Sequence, residues 1–307
     1  MGSSGESYNS AVKHPVFWFK DGSIVLHVEN QVFKVHRTLL SRHSPFFSEL
    51  DLSASKTDGS DPSLNLYLSV DRSRSVRAKD VEVLLEYLYH DASLLLEDQF
   101  PRLAAALRVS SPKQLDFPSI HALTIKRLTS NIPVEYSPGF LPDNPEEALE
   151  LATEYELPLM RKALYYHFVT SPGSHFDAES ISTHSLGSSP SLSEVGLDRV
   201  QPLMERIIEY FTPILFTPAT TPHMACTDVF ADTWMSLVIQ PAIENDGVYK
   251  PLETLERIKG IDWAKAGLCG ACVKEKNEEW TREQQHIWKT MDNWLGMVAK
   301  QTTPVSM

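Results

Sequence analysis

Lys20 to His36 reads KDGSIVLHVENQVFKVH, and the period of its apolar residues organises everything around it. Ile24, Leu26 and Val28 alternate with Val25 and His27, a period-two pattern that predicts a strand. Glu29-Asn30-Gln31 is a polar turn, and Val32-Phe33-Lys34-Val35 returns as a second strand, so the stretch predicts a hairpin. The period then changes. Leu39, Leu40, His43, Phe46 and Phe47 fit helical segments interrupted at Ser44-Pro45. Beyond a polar stretch, Ser53 to Ser63, the alternation of Leu64 to Leu68 predicts another strand. Val81, Leu84, Leu85 and Leu88 then mark an amphipathic helix over Ala78 to His90. Phe100, Leu103, Ala104 and Leu107 give the next helix its stripe, and Ile120, Leu123 and Leu128 a further one. Hairpin, helical pair, strand and several helices make an α+β arrangement, expected over residues 15–131.

Four prolines between Pro133 and Pro145 predict a linker over 132–145, because each removes a backbone donor and disfavours helix before it. Residues 146–300 read as a mostly helical domain. Asp143 or Asn144 can cap its first helix, with Pro145 at the first position and Glu146-Glu147 near the positive end. Pro158 starts or kinks a second helix, and 171–193 is a Ser-rich loop. Asp198 to Phe211 and the regions of Trp234, Trp263 and Trp280 to Trp294 are helical again.

The 307 residues carry a net charge of −12. Met1 to Asn131 is balanced at 15 basic against 15 acidic residues, so the remaining 13 against 25 place the whole excess in the second half. Such a surface repels a phosphate backbone, so nucleic acid is not an expected partner. No apolar run is long enough to span a bilayer, and MGSSGESYNS lacks the basic flank and apolar core of an export signal. An intracellular protein, in nucleus or cytoplasm, is expected, with no membrane partner.

Cys226, Cys269 and Cys272 are an odd, sparse set that suggests reduced thiols or a metal site. With His223 they form H-x2-C … C-x2-C, a spacing that lets each pair reach one ion, and zinc favours four such ligands. Gly267 and Gly270 would ease the tight backbone, and His286 can stand in for His223. The competing reading is three buried thiols beside tryptophans. No nucleophile elbow, phosphate loop or convergent carboxylate pair occurs, so no enzyme is expected and no catalytic residue is named. His36 reads as a buried histidine bonded to backbone.

The first half resembles the BTB/POZ domain. The resemblance rests on the hairpin, on VHRTLLSRHSPFFSEL from Val35 to Leu50, on the strand near Leu66 and on VEVLLEYLYHD ending at Asp91. His36, Ser44 and Phe47 fall at the family's motif places, with Tyr87 and Tyr89 as its usual aromatics. The opening, with the Cys-x-x-Cys of GLCGAC, is similar to fungal BTB proteins. Where many members carry an Asp facing the basic residue after the His, this chain has Ser23, with Asp21 two residues earlier and Arg37 in the basic place. The resemblance implies a protein-interaction scaffold that homodimerises through the N-terminal segment and first helix, with Phe17, Trp18, Leu39 and Leu40 near the interface. The alternative it implies is a substrate adaptor for a cullin ubiquitin ligase. Residues 51–76 contain no Glu for the family's cullin-contacting apolar-x-Glu motif, and Phe47-Ser48-Glu49 falls earlier than that motif does.

Overall fold

In a computed structural model, which describes residues 11–50, 66–89, 99–130, 144–171 and 193–297, the hairpin is built as its alternation requires. Strands β1 (Val12–Trp18), β2 (Ile24–Val28), β3 (Gln31–Val35) and β4 (Leu66–Ser69) form one sheet in the order β1-β3-β2-β4. β2 and β3 are antiparallel, pairing Val28 with Gln31 across a two-residue turn in which Glu29 takes φ 52°. Asn30 and Glu29 alone make this turn, one residue tighter than the alternation suggests. β4 is parallel to β2. At the other edge β1 runs parallel to β3, with a break in register between Lys13 and Trp18. Gly22, in the turn before β2, has no room for a Cβ, which would lie 3.0 Å from the Lys34 backbone carbonyl.

The helical pair follows as predicted: α1 (Arg37–His43), then α2 (Pro45–Ser48). Pro45 removes a donor and fixes φ, which ends α1 and suits the first position of α2. Ser44 occupies the junction. Its Oγ accepts from the Phe47 N–H at 3.3 Å and donates to the Leu115 carbonyl at 2.7 Å. A 3₁₀ turn (Arg72–Arg74) leads to α3 (Ala78–Leu88), α4 (Phe100–Ser110) and α5 (Pro118–Ser130). α3 starts without a side-chain cap of its own; the Glu29 carboxylate, reaching over from the hairpin turn, accepts from Ala78 N–H at 2.8 Å. The core gathers Ile24, Leu26 and Val28 with Phe33, Val35, Leu40 and Phe47, under Val81, Leu84 and Leu85. Buried Asp80 accepts from Nε and one terminal nitrogen of Arg108, at 3.0 and 3.2 Å.

By contact density the chain divides into two compact units, Met1–Ser130 and Asn131–Met307. Most of the Pro-rich linker and of the Ser-rich loop lie outside the described residues. The regular elements in the described part of the second unit are all helices: α6 (Pro145–Glu154), α7 (Pro158–Thr170), α8 (Ser193–Phe216), α9 (Met224–Trp234), α10 (Gln240–Glu244), α11 (Pro251–Lys259), α12 (Trp263–Ala266) and α13 (Gly270–Trp294). Asn144 is the cap of α6, accepting from Glu147 N–H at 3.3 Å. Phe230, Trp234, Trp263 and Trp280 meet edge-on or tilted at the centre, with Trp263 and Trp234 stacked. Buried Lys162 reaches Asp292 at 2.8 Å and lies over the Trp288 ring.

α9 and α10 are joined without a break in helical backbone by a π-helical turn, Met235–Ile239. Cys226, Phe230, Trp234, Val238 and Ala242 are all buried, each four residues after the last. In an α-helix, steps of four overshoot a full turn by about 40° each, so the inward face would drift. The wider π turn winds back and returns Val238 and Ala242 to that face. Pro241, which lacks the N–H an uninterrupted α-helix would use, sits just after it. Among the described residues no helix is long and apolar enough to cross a membrane.

Candidate interaction surface and metal centre

β1 was not marked by any alternation, because His14 to Phe19 is a dense apolar run. The structure sorts that run by burial. Phe17 is 1% exposed and faces the core, whereas Val12 and Val16 are 61% and 60% exposed. Trp18 is half-buried, with the Lys13 ammonium 4.7 Å from its ring. In α1, Leu40 is buried and Leu39 partly open. Of the four residues expected near an interface, Phe17 and Leu40 thus belong to the core of the first unit and Trp18 and Leu39 are partly open. Val12 and Val16 join the latter pair on the outside.

His14 holds the break in β1, and sequence reasoning gave it no role. Its ring lies between Phe17 and Phe33, and Nδ1 accepts from the N–H groups of Val16 and Phe17 at 3.3 and 3.1 Å. Two inward donors leave the ring hydrogen on Nε2, which faces Glu82 at 3.4 Å. Pro15, without an N–H, needs no partner there. His14, not His36, is thus the buried histidine bonded to backbone.

His36 is partly exposed and bonds to side chains. Its Nε2 is 3.2 Å from Asp21 Oδ2 and its Nδ1 2.9 Å from the Tyr89 hydroxyl, which also accepts from the His36 N–H. The His36 bond, together with a backbone N–H, holds the exposed Asp21 carboxyl below its ordinary value. Burial raises the Tyr89 phenol. Asp21 therefore pairs with His36 and not with Arg37. Arg37 directs its guanidinium to the Leu50 carbonyl at 3.4 Å, while its N–H donates to Ser23 Oγ at 3.0 Å. Ser23 and Asp21 divide the work of one acidic position: one caps α1, the other pairs with the histidine. Ser44 and Phe47 are buried fold residues, as the junction between α1 and α2 requires.

In the second unit His223, Cys226, Cys269 and Cys272 come together, with one donor atom from each inside 4.8 Å of the others. His223 and Cys226 are the N-cap and third residue of α9, and Cys269 and Cys272 hold the same two positions in α13. Both pairs therefore use one first-turn geometry, and both helix starts point at the cluster. His223 Nδ1 is 3.0 Å from Cys226 Sγ, and the Cys269 N–H donates to the same sulfur at 3.5 Å. The Cys272 backbone N–H beside its sulfur, followed by the Cys272 and Cys226 thiols, lowers Cys269 to about 6. Burial, then the hydrogen bond to Cys269, raises Cys272 to about 11.

Of the two glycines, Gly267 is the one the approach needs: it ends α12 at φ 115° and turns the chain toward Cys269. A Cβ on Gly270 would meet nothing within 4 Å. His286 lies elsewhere, its ring against Tyr210. No curated protein matches the chain. Residues 21–116, which hold the hairpin, the α1–α2 junction, α3 and α4, match the BTB/POZ domain family, so the first unit carries a BTB/POZ domain, a module for protein–protein interaction.

Proposed function

We propose that this chain is a non-enzymatic interaction protein that homodimerises through the outer face of β1 and α1 and displays its helical unit to a further protein partner. The observation that carries this reading is the pair Val12 and Val16, both about 60% exposed on β1 beside half-open Trp18. Exposed large apolar side chains on an edge strand call for a cover, and a BTB/POZ domain, being an interaction module, supports a second copy as that cover. A stable dimer of this sort buries about 1,200–2,000 Å². The reduced thiol cluster suits an intracellular setting, nucleus or cytoplasm.

Light scattering on the full chain tests it. A dimer across the micromolar range, converted to monomer by Val16→Glu or Trp18→Glu with helicity unchanged, is the expected result. A wild-type monomer throughout that range overturns the reading.

The cullin-adaptor alternative draws on one observation, the exposure of Glu49 at the end of α2. Phe47, its apolar companion, is only 1% exposed and offers a partner nothing, so this reading stands second. Calorimetry with a cullin N-terminal domain decides it. A Kd of micromolar or tighter, about −8 kcal/mol, that is lost in Glu49→Ala would put the adaptor reading first.

A further inference from the structure

We propose that His223, Cys226, Cys269 and Cys272 bind one zinc ion, which clamps the start of α9 to the start of α13. This goes beyond the dimer reading and does not depend on it.

The donor set and its placement carry the inference. Three sulfurs and one imidazole nitrogen lie within 4.8 Å of one another, although Cys226 and Cys269 are 43 residues apart. In a tetrahedral Cys3His site, with zinc–sulfur bonds near 2.3 Å and zinc–nitrogen near 2.0 Å, neighbouring donors stand about 3.5–3.8 Å apart. The cluster thus needs an adjustment of about an ångström, within reach of side-chain rotation at exposed His223 and Cys269. A disulfide would use two of the three thiols and leave a sulfur and an imidazole converging without purpose. A metal uses all four.

The duplicated geometry points the same way. N-cap and third residue share one side of a helix's first turn, so each pair is a preformed two-ligand arm. The two arms arrive from separate helices, of 11 and 25 residues, and meet. The positive ends of both helices then face the sulfurs, which compensates thiolate charge. Three thiolates with one divalent ion leave a net charge of −1. Soft sulfur with imidazole selects zinc over magnesium or calcium, which take oxygen donors. Gly267, at φ 115°, is what lets the chain leave α12 and deliver Cys269 to the cluster.

The clamp would be structural. All four positions are taken by protein, which leaves no open site for substrate. It also sits at the head of the aromatic core, since Phe230 is one turn beyond Cys226 and Trp280 two turns beyond Cys272. Binding deprotonates the thiols, so each zinc taken up by the apo chain releases protons.

The test starts with the full chain, expressed with added zinc and purified without chelator. Metal analysis should give one zinc per chain, set free when a mercurial blocks the thiols. Cobalt added to the stripped chain should produce the intense visible bands of tetrahedral thiolate coordination. Stripping should also shift the tryptophan emission. His223→Ala and Cys269→Ser, both at exposed positions, should each weaken zinc retention against a competing chelator at least tenfold with the helical spectrum kept. The proposal is overturned if the purified chain holds well under one zinc, if the cobalt spectrum is that of an octahedral ion, or if mass analysis finds a native disulfide among the three cysteines. The cobalt spectrum of the unaltered chain keeps the test decisive even where a variant misfolds.

Discussion

Replacing Ser44 with alanine removes two hydrogen bonds from one atom. Ser44 is 1% exposed, and its Oγ both accepts from Phe47 N–H and donates to the Leu115 carbonyl 71 residues away. Loss of an N-cap acceptor costs about 1 kcal/mol. A buried carbonyl deprived of its donor adds roughly 1–3 kcal/mol. The first unit should therefore lose about 2–4 kcal/mol, which accelerates hydrogen exchange of its most protected β2 and β3 amides about 30- to 700-fold. Mass-detected exchange reads this locally, without interference from the five tryptophans of the second unit.

Two companions separate the contributions. Ser44→Gly also loses the bond to Leu115 but only a few tenths of the capping contribution, so its difference from alanine isolates the cap. Ser48→Ala removes an exposed hydroxyl whose bond is to Pro45 in its own turn, and should change stability by no more than about 0.5 kcal/mol. If Ser44→Ala falls within that same margin, the view of Ser44 as a two-way fastener between α1 and the α4–α5 turn is wrong.

Asp80→Ala removes a buried carboxylate that accepts from Arg108 at 3.0 Å and faces Arg77 at 3.5 Å, and should cost roughly 1–3 kcal/mol by denaturant titration. Replacing both Asp80 and Arg108 with apolar residues should cost less than this single change. His121 is held below its ordinary value chiefly by burial, so its NMR titration midpoint should lie under 6.5. Because that folded-state value is lowered, its stabilising contribution is full above 6.5 and is lost as pH falls from there through the folded midpoint; His121→Gln should flatten that part of the stability–pH curve. Gly267→Ala forces a Cβ into φ 115° and to 3.4 Å from Val229. It should destabilise the second unit by about 1–2 kcal/mol, whereas Gly270→Ala, with open space, should be neutral or slightly stabilising in a thermal melt.

Legibility followed the range of the interactions. The hairpin, the break at Ser44-Pro45 and the cap at Asn144 were readable because each depends on residues within a few positions of one another. β1 was not, since its in–out order is fixed by pairing with β3 and by the His14 ring turned back on its own backbone. Whether Phe17 is covered by its own core or by a partner was open for the same reason: an apolar run at the edge of a sheet carries no periodicity that tells core from surface. Asp21 could not be assigned from spacing, because its choice of His36 over Arg37 depends on where α1 starts. The His223–Cys226 and Cys269–Cys272 pairs were visible as pairs. Their meeting depends on how α9 and α13 pack, and that is tertiary information.

The π-helical turn at Met235–Ile239 has a consequence for the history of the chain. A buried set spaced four, four, four and four becomes four, four, three and four when one residue is taken out after Trp234, which is the ordinary rhythm of an amphipathic α-helix. The π turn thus accommodates one residue more than that rhythm, leaving Ala242 on the inward face. Relatives of this protein should come in two lengths here. An alignment would open a one-residue gap between Trp234 and Ala242, and the shorter chains, with no slack in the helix, should carry something other than proline where this one has Pro241.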